Sequence, residues 1–528
     1  MAWIAGLLSF VDVLLRGTLL SGQALAVGGP TFALLVLRPL ARREPDPRPV
    51  FGPTLRLAAL GALGVAVAQV LSLTLQIASL ADETGWPLAE ALATPFFRAS
   101  LIRLLACLGV IVSCRVVERD PGAKAGWAAL IGCGLALVAS SAWTSHAAGR
   151  LQSRGVLLGL DALHQIAGTV WVGGLVHLFV AARRMQQPWP RAVLRRFSAL
   201  AVTAVGMLLL AGLGLSLYYV DGIRALVGTA YGWMLLAKGS LLAGLLVLGG
   251  MNFLSIRALP EVAQPPRLRL RRFVEAEVGL GITVLFAAAS LTSLPPAVDV
   301  VADRATPAEV LSRFIPQWPT LSSPSLHELP ISDPLAPRTA EDMAWSEYNH
   351  HWAGLFVLAM GLLAILERTG RVRWARHWPL LFLGLAAFLF VRDDPGAWPL
   401  GPMGFWESMA VSSVLQHRFF VLLTVSFGVF EWMVHTDRLH SPRWALVFPL
   451  LSAVGGGLLL THSHALINLK AEFLVEVTHI PLGLLGILVG WTRWLELRLS
   501  PPQNRPMGWL WTLGLVLIGI LLLLYRES

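Results

Sequence analysis

Residues 197–219 read FSALAVTAVGMLLLAGLGLSLYY, a run of 23 residues without a charged side chain. The hydrocarbon core of a bilayer is about 30 Å thick, and a helix needs about 20 apolar residues to cross it. The run is long enough for this, and it lies between the basic pair Arg195–Arg196 and the acidic Asp221. It therefore predicts a transmembrane helix.

Similar apolar runs recur along the whole chain. They predict eight spans near residues 11–37, 57–80, 99–117, 125–143, 158–182, 197–219, 230–254 and 273–294, and six more near 349–366, 377–391, 413–434, 444–461, 472–491 and 507–524. We number these spans 1 to 14. The pattern predicts an all-α polytopic bundle of about 14 helices, with an eight-helix domain at 1–297, an extracytoplasmic Pro-rich linker at 298–346 and a six-helix domain at 347–528.

The composition of the chain agrees with a membrane protein. Of its 528 residues, 55% are hydrophobic and only 14% are charged, whereas soluble domains carry about 25% charged residues. The net charge of +10 comes from Arg in short clusters between apolar runs, which is a topology signal and not the basic face of a nucleic-acid-binding domain. We expect a lipid bilayer around the chain and no nucleic-acid partner.

The basic clusters also predict the orientation of the spans. Cytoplasmic loops hold the excess of Arg and Lys, and the clusters follow the odd-numbered spans, in residues 38–48, 119–124, 183–196, 257–272, 368–376, 438–443 and 493–505. The alternate loops are poorer in Arg, and one contains the pair Asp393–Asp394. Both termini are therefore predicted to face outside.

The histidines are distributed unevenly on this topology. Nine of the 13 fall at predicted outer helix ends or in outer loops: His146, His164, His327, His350, His351, His417, His462, His464 and His479. The inner face receives His177, His377, His435 and His440. Imidazole is the commonest protein ligand for transition metals. The excess of histidines at the predicted outer face therefore indicates metal binding at that face.

Two carboxylate–imidazole pairs sharpen this interpretation. Asp161 and His164 in span 5, like Glu476 and His479 in span 13, are three residues apart and so share a helical face. Each pair follows a histidine turn, with His146 before the first pair and His462 and His464 before the second. A shift of 315 residues superposes the two pairs, which predicts a parallel internal repeat in which spans 9–14 echo spans 1–6.

The candidate metal ligands are His146, Asp161, His164, His350, His351, His417, His462, His464, Glu476 and His479. Carboxylate with imidazole suits Cu(II) or Zn, while Cu(I) favours Met. Other interpretations remain open, because a histidine at a helix end is often an interfacial or capping residue, and Tyr348–Trp352 also fits an interfacial belt. His327 fits a solvated linker.

An ordered series of residues extends across five spans. It comprises Ser145–Ala147, Leu163–His164, Trp171–Leu175, Arg196–Ser198, Ala230–Gly232, Leu236, Lys238, Asn252, Glu277 and Leu291–Pro296. This series resembles the CopD family of copper resistance and uptake proteins. The resemblance covers about residues 140–297, with weaker similarity upstream. It implies a copper role at the outer face of a bacterial inner membrane, beside a separate periplasmic carrier of the CopC type. Residues 345–528 show no equally specific resemblance.

These observations together favour a copper-handling membrane protein. One alternative is a b-type haem or quinone-linked electron-transfer protein with histidines as haem ligands. The resemblance leaves it open, because the CopD family is distantly similar to haem-associated membrane proteins of the protoporphyrinogen oxidase type. Another is a structural subunit of a larger membrane complex. Because the chain has no Walker A motif and no evident nucleophile–base pair, we do not expect an ATP-hydrolysing or hydrolytic enzyme.

Overall fold

The computed structural model describes residues 2–42, 48–84, 88–184, 191–258, 267–325, 339–461 and 469–527. These residues form helices joined by turns, and they contain no β-strand. Fourteen helices in the described residues are long and apolar enough to cross a membrane, and each coincides with one predicted span. The prediction of an all-α polytopic bundle is confirmed, and the chain is a multi-pass membrane protein.

Spans 1–8 contain the helices Ala2–Phe32, Arg48–Thr84, Pro95–Arg119, Lys124–Ala142, Arg154–Gly168 with Gly174–Arg184, Arg191–Tyr219, Ala230–Arg257 and Arg267–Ser293. Spans 1 and 5 each include a π-helical turn, Ala33–Leu37 and Thr169–Gly173. Shorter helices are Arg38–Ala41, Leu88–Ala93, His146–Gly149 and Ile223–Val227, with a 3-10 turn at Ala297–Asp299.

Spans 9–14 contain Ala340–Arg368, Arg373–Leu380 with Leu381–Arg392, Ser412–His435, Trp444–Leu446 with Val447–Thr461, Leu469–Arg498 and Asn504–Leu523, where Arg373–Leu380 and Trp444–Leu446 are 3-10. Short helices lie at Pro307–Ser312 and Phe405–Ala410. The predicted linker is partly helical. Thr306 and Glu309 form a capping box at the first of these short helices, and Thr339 caps span 9 at Ala340.

The chain divides into two compact units. The first consists of Ile4–Leu226 with Met234–Ala302, and the second of Asp303–Ser528 with Met1–Trp3 and Val227–Trp233. The described residues of the predicted linker after residue 302 thus group with the second unit. The predicted boundaries of the domains, at 297 and 347, stay predictions.

Glycines allow spans 1 and 5 to pack closely in the first unit. A β-carbon on Gly173 would overlap the carbonyl oxygen of Ala24, and one on Gly28 would lie only 2.5 Å from the carbonyl oxygen of Thr169. Small residues at helix interfaces allow backbones to approach and gain van der Waals contact. Gly173 is therefore a packing position for span 1.

The neighbour relations of spans 1–6 recur in spans 9–14. In each set of six, the first span contacts the second and the sixth, the second contacts the third, and the fifth lies between the fourth and the sixth. Close backbone packing in the second unit involves Gly354 against span 14 and Gly456 against Gly483. This shared pattern supports the predicted parallel repeat, whereas the outward orientation of both termini stays a prediction.

Candidate metal centre

Two acidic residues and one histidine meet at the ends of spans 10 and 11. Asp393 and Asp394 directly follow the helix that ends at Arg392, and His417 lies in the first turns of the next span. Nδ1 of His417 is 2.8 Å from Oδ1 of Asp394 and 3.4 Å from Oδ2 of Asp393. Within the described residues, this is the group in which three potential ligand atoms all lie within 4.8 Å of one another.

The electrostatics of this acidic group suit a cation. Oδ2 of Asp394 is buried and has no hydrogen-bond partner, and burial raises the pKa of Asp393. The guanidinium of Arg418 acts on Asp393 through its charge, while its N–H groups donate to the carbonyl oxygens of Phe390 and Trp398. Leaving a buried carboxylate oxygen unpaired costs free energy. A bound cation or a proton would remove that cost.

The sequence predicted His417 as a ligand but did not include the two aspartates among the ligands. The signal was present, since the Asp393–Asp394 pair follows one span directly and His417 begins the next on the same predicted face.

His350 of span 9 and His479 of span 13 lie side by side. Their ring centroids are 5.6 Å apart. Nδ1 of His350 is 2.8 Å from the carbonyl oxygen of Ser346, and Nδ1 of His479 is 2.9 Å from that of Val475. Since a carbonyl oxygen only accepts, each Nδ1 carries the proton, and Nε2 is the basic nitrogen of the neutral ring. The arrangement presents two imidazoles suited to metal ligation.

Tyr525 packs against both of these imidazoles. Its ring stacks on His350 at a centroid distance of 3.9 Å and meets His479 edge to face at 5.6 Å. The sequence did not identify Tyr525, because nothing in its local pattern places it beside spans 9 and 13.

His351 has a different environment from His350. Its Nδ1 accepts from the backbone N–H of Thr320 at 3.0 Å, and its Nε2 donates to the carbonyl oxygen of Tyr525 at 2.9 Å. Both ring nitrogens thus form hydrogen bonds with backbone groups, and we leave His351 out of the proposed ligand set. Glu476 is not part of a three-ligand group within the described residues. His462, His464 and His327 lie outside the described residues.

The first unit contains three predicted ligands, His146, Asp161 and His164. In this part of the described chain, their ligand atoms do not form a three-ligand group. Asp161 accepts from Nε2 of Gln165 at 2.8 Å and lies beside Ser145. Nδ1 of His164 donates to the carbonyl oxygen of Leu208 at 3.1 Å. As at His479, this leaves Nε2 as the basic nitrogen.

His146 begins a short helix that Ser145 caps through the backbone N–H of Ala147. Its Nε2 is buried without a hydrogen-bond partner, and burial lowers the pKa of the imidazole. Metal ligation needs the neutral imidazole, so the lowered pKa keeps His146 available at mildly acidic pH. Arg103, which is buried, donates to Oγ1 of Thr144 at 2.9 Å and anchors this turn to span 3.

Two family models match parts of the first unit. The family model described as copper resistance protein D matches residues 191–291, and the model described as copper resistance protein D-like, N-terminal domain matches residues 7–156. The residues that these models match belong to the copper resistance protein D family. The family matches confirm the resemblance noted within residues 140–297 at 140–156 and 191–291, and they extend it upstream to residue 7.

A curated relative gives further support to this assignment. The copper transport protein CutJ of Bacillus subtilis strain 168 is 36% identical over 165 residues, which are 30% of this chain and 29% of that protein. The chain thus matches less than a third of the length of this relative. No solved structure is significantly similar to the chain. Neither the family descriptions nor the name of the relative refers to haem.

Proposed function

We propose that this protein binds copper at the outer face of the bacterial inner membrane and takes part in copper transport or copper resistance. The family matches at residues 7–156 and 191–291 and the name of the relative support copper as the cargo. The observation that carries the proposal is the meeting of Asp393, Asp394 and His417 at the predicted outer ends of two spans.

The ligand types suit a copper pathway that begins at solvent. Two carboxylates and one imidazole favour Cu(II) or Zn over Cu(I), and the half-buried acidic group attracts a cation electrostatically. The imidazole pair of His350 and His479 offers nitrogen ligands that serve copper in either oxidation state. Copper taken up at such sites is then moved into or across the helical bundle.

We also propose a separate periplasmic copper carrier, of the CopC type, as the partner that delivers the metal. The proposal follows from the family resemblance and from the all-helical character of the described residues, which contain no β-sandwich.

The acidic group is tested by the double variant Asp394→Asn/His417→Gln. The full chain is purified in detergent, loaded with Cu(II) and desalted. We expect the double variant to hold about one equivalent of copper less than the wild type, because it lacks two of three ligands. Metal analysis by mass spectrometry measures the stoichiometry. The matched control is His440→Gln, an exposed histidine at the predicted inner face, which should keep the wild-type copper content. Equal copper in the two variants contradicts this site.

The imidazoles of the two repeats are tested by the variant His164→Ala/His479→Ala. We expect its copper content to fall below that of the wild type, since each substitution removes a ring with a basic Nε2. An absorption spectrum recorded on the same samples separates the alternative function. Copper that is lost in the variant, without a Soret band, agrees with the copper proposal, while bound iron with a Soret band in the wild type indicates the haem alternative.

A further inference from the structure

A cavity of about 460 Å³ opens in the second unit where spans 9, 11 and 13 end and span 14 begins. Its wall includes Arg368, Arg493, Arg505, Trp509 and Trp511. This is the end of span 11 opposite to His417, and the topology predicts that it faces the cytoplasm. The cavity is therefore separate from the proposed copper sites of this unit.

The carboxylates near the cavity are already engaged. Glu496 accepts from the guanidinium groups of Arg368 and Arg493 and from the indole N–H of Trp511. Glu367 accepts from Nδ1 of His435 at 3.0 Å. Both carboxylates are therefore already paired, and neither contacts the third arginine of the wall, Arg505.

Arg505 is the third arginine of the wall. Within the described part of the chain, its side chain makes no hydrogen bond or ion pair. Its backbone carbonyl accepts from Arg368, and its backbone N–H donates to Pro502. A guanidinium has five N–H donors, and the contacts of Arg368 and Arg493 use only some of theirs. The cavity thus has unused donors and an excess of positive charge.

A lipid-facing stripe runs from the rim of this cavity along span 14. Trp509, Leu513 and Leu517 are spaced by four residues, so they share one helical face, and their exposed fractions are 44%, 48% and 48%. Trp at the rim is typical of the membrane interface, and the leucines lie where acyl chains would contact the helix. A headgroup in the cavity would therefore have an apolar surface for its chains.

We propose that this cavity binds a phosphate group, carried by the headgroup of an anionic phospholipid. Guanidinium groups match phosphate oxygens with paired hydrogen bonds. Basic pockets between transmembrane helices on the cytoplasmic side bind anionic headgroups, because that leaflet carries the negative lipids. The stripe on span 14 favours a lipid over free phosphate as the source of the phosphate.

The test uses the full chain in detergent with three probes: dioctanoyl phosphatidylglycerol, dioctanoyl phosphatidylcholine and inorganic phosphate. Binding is measured by microscale thermophoresis for the wild type, for Arg505→Gln and for the control Arg371→Gln, which replaces an exposed Arg outside the cavity wall. We expect saturable binding of phosphatidylglycerol that weakens about ten-fold in Arg505→Gln, as for loss of a charge-assisted hydrogen bond, and that stays unchanged in Arg371→Gln.

The three probes separate the sources of the phosphate. Weaker binding of phosphatidylcholine and of inorganic phosphate supports the lipid headgroup, while inorganic phosphate that binds as tightly as phosphatidylglycerol supports the phosphate site and rejects the lipid as its occupant. The proposal is overturned if neither anion binds saturably, or if Arg505→Gln and Arg371→Gln bind alike. Thermal unfolding of both variants, expected at the wild-type temperature because both side chains are exposed, verifies that they fold.

Discussion

Replacing Gly173 by Ala is expected to lower the free energy of unfolding of the protein by about 3 kcal/mol, the upper end of the range for overpacked interiors. The added methyl group would overlap the carbonyl oxygen of Ala24 in span 1. That atom belongs to the backbone of a helix and cannot rotate away as a flexible side chain would. Spans 1 and 5 must therefore separate or shift along their whole contact.

The measurement is the unfolding temperature of the detergent-purified chain, followed by size-exclusion chromatography after heating. Gly159→Ala is the matched control, because Gly159 lies in the same span and a β-carbon there meets no atom within 4 Å. The control should be neutral or slightly stabilised, since Ala is the better helix former by about 1 kcal/mol. Equal unfolding temperatures for the two variants would show that spans 1 and 5 do not pack through Gly173.

Helix number and position could be predicted because they depend on local properties of the chain. A run such as 197–219 is recognised from its length and the absence of charge, and the other thirteen spans were located as long apolar runs with few charged side chains. The glycines of Trp171–Gly174 were visible as part of a family resemblance. The physical reason for Gly173 is the close approach of Ala24, and that for Gly174 is the ring of Phe197. Both depend on which helices lie beside span 5, and the periodicity of apolar residues does not reveal this.

The candidate site could be predicted only in part, for the same reason. His417 was identified from its place at a helix end, but its contact with Asp394 joins residues 23 positions apart through a segment that contains the short helix Phe405–Ala410. Conversely, Asp161 and His164 share a helical face as predicted, yet the contact of His164 with Leu208 fixes which ring nitrogen is basic. Such details depend on the neighbouring span.

Replacing His435 by Leu is expected to destabilise the second unit by about 3–5 kcal/mol, the cost of removing one partner from a buried ion pair. Nδ1 of His435 is 3.0 Å from Oε1 of Glu367, and its Nε2 is 3.2 Å from Oε1 of Glu431. Glu431 is only 1% exposed, and its other oxygen has no hydrogen-bond partner. Without the imidazole, this carboxylate would be buried with no partner among the described residues.

The second substitution His435→Leu/Glu431→Leu distinguishes lost charge pairing from lost packing. It removes the buried carboxylate together with its partner, and we expect at least half of the stability to return, because an ion pair replaced as a whole by apolar side chains costs little. Glu367 keeps the indole N–H of Trp378 as a donor at 3.0 Å, so it does not need the histidine. Unfolding temperatures of both variants are compared with that of His440→Leu, an exposed control five residues away. A double variant less stable than His435→Leu alone would mean that Glu431 is held by groups other than this imidazole.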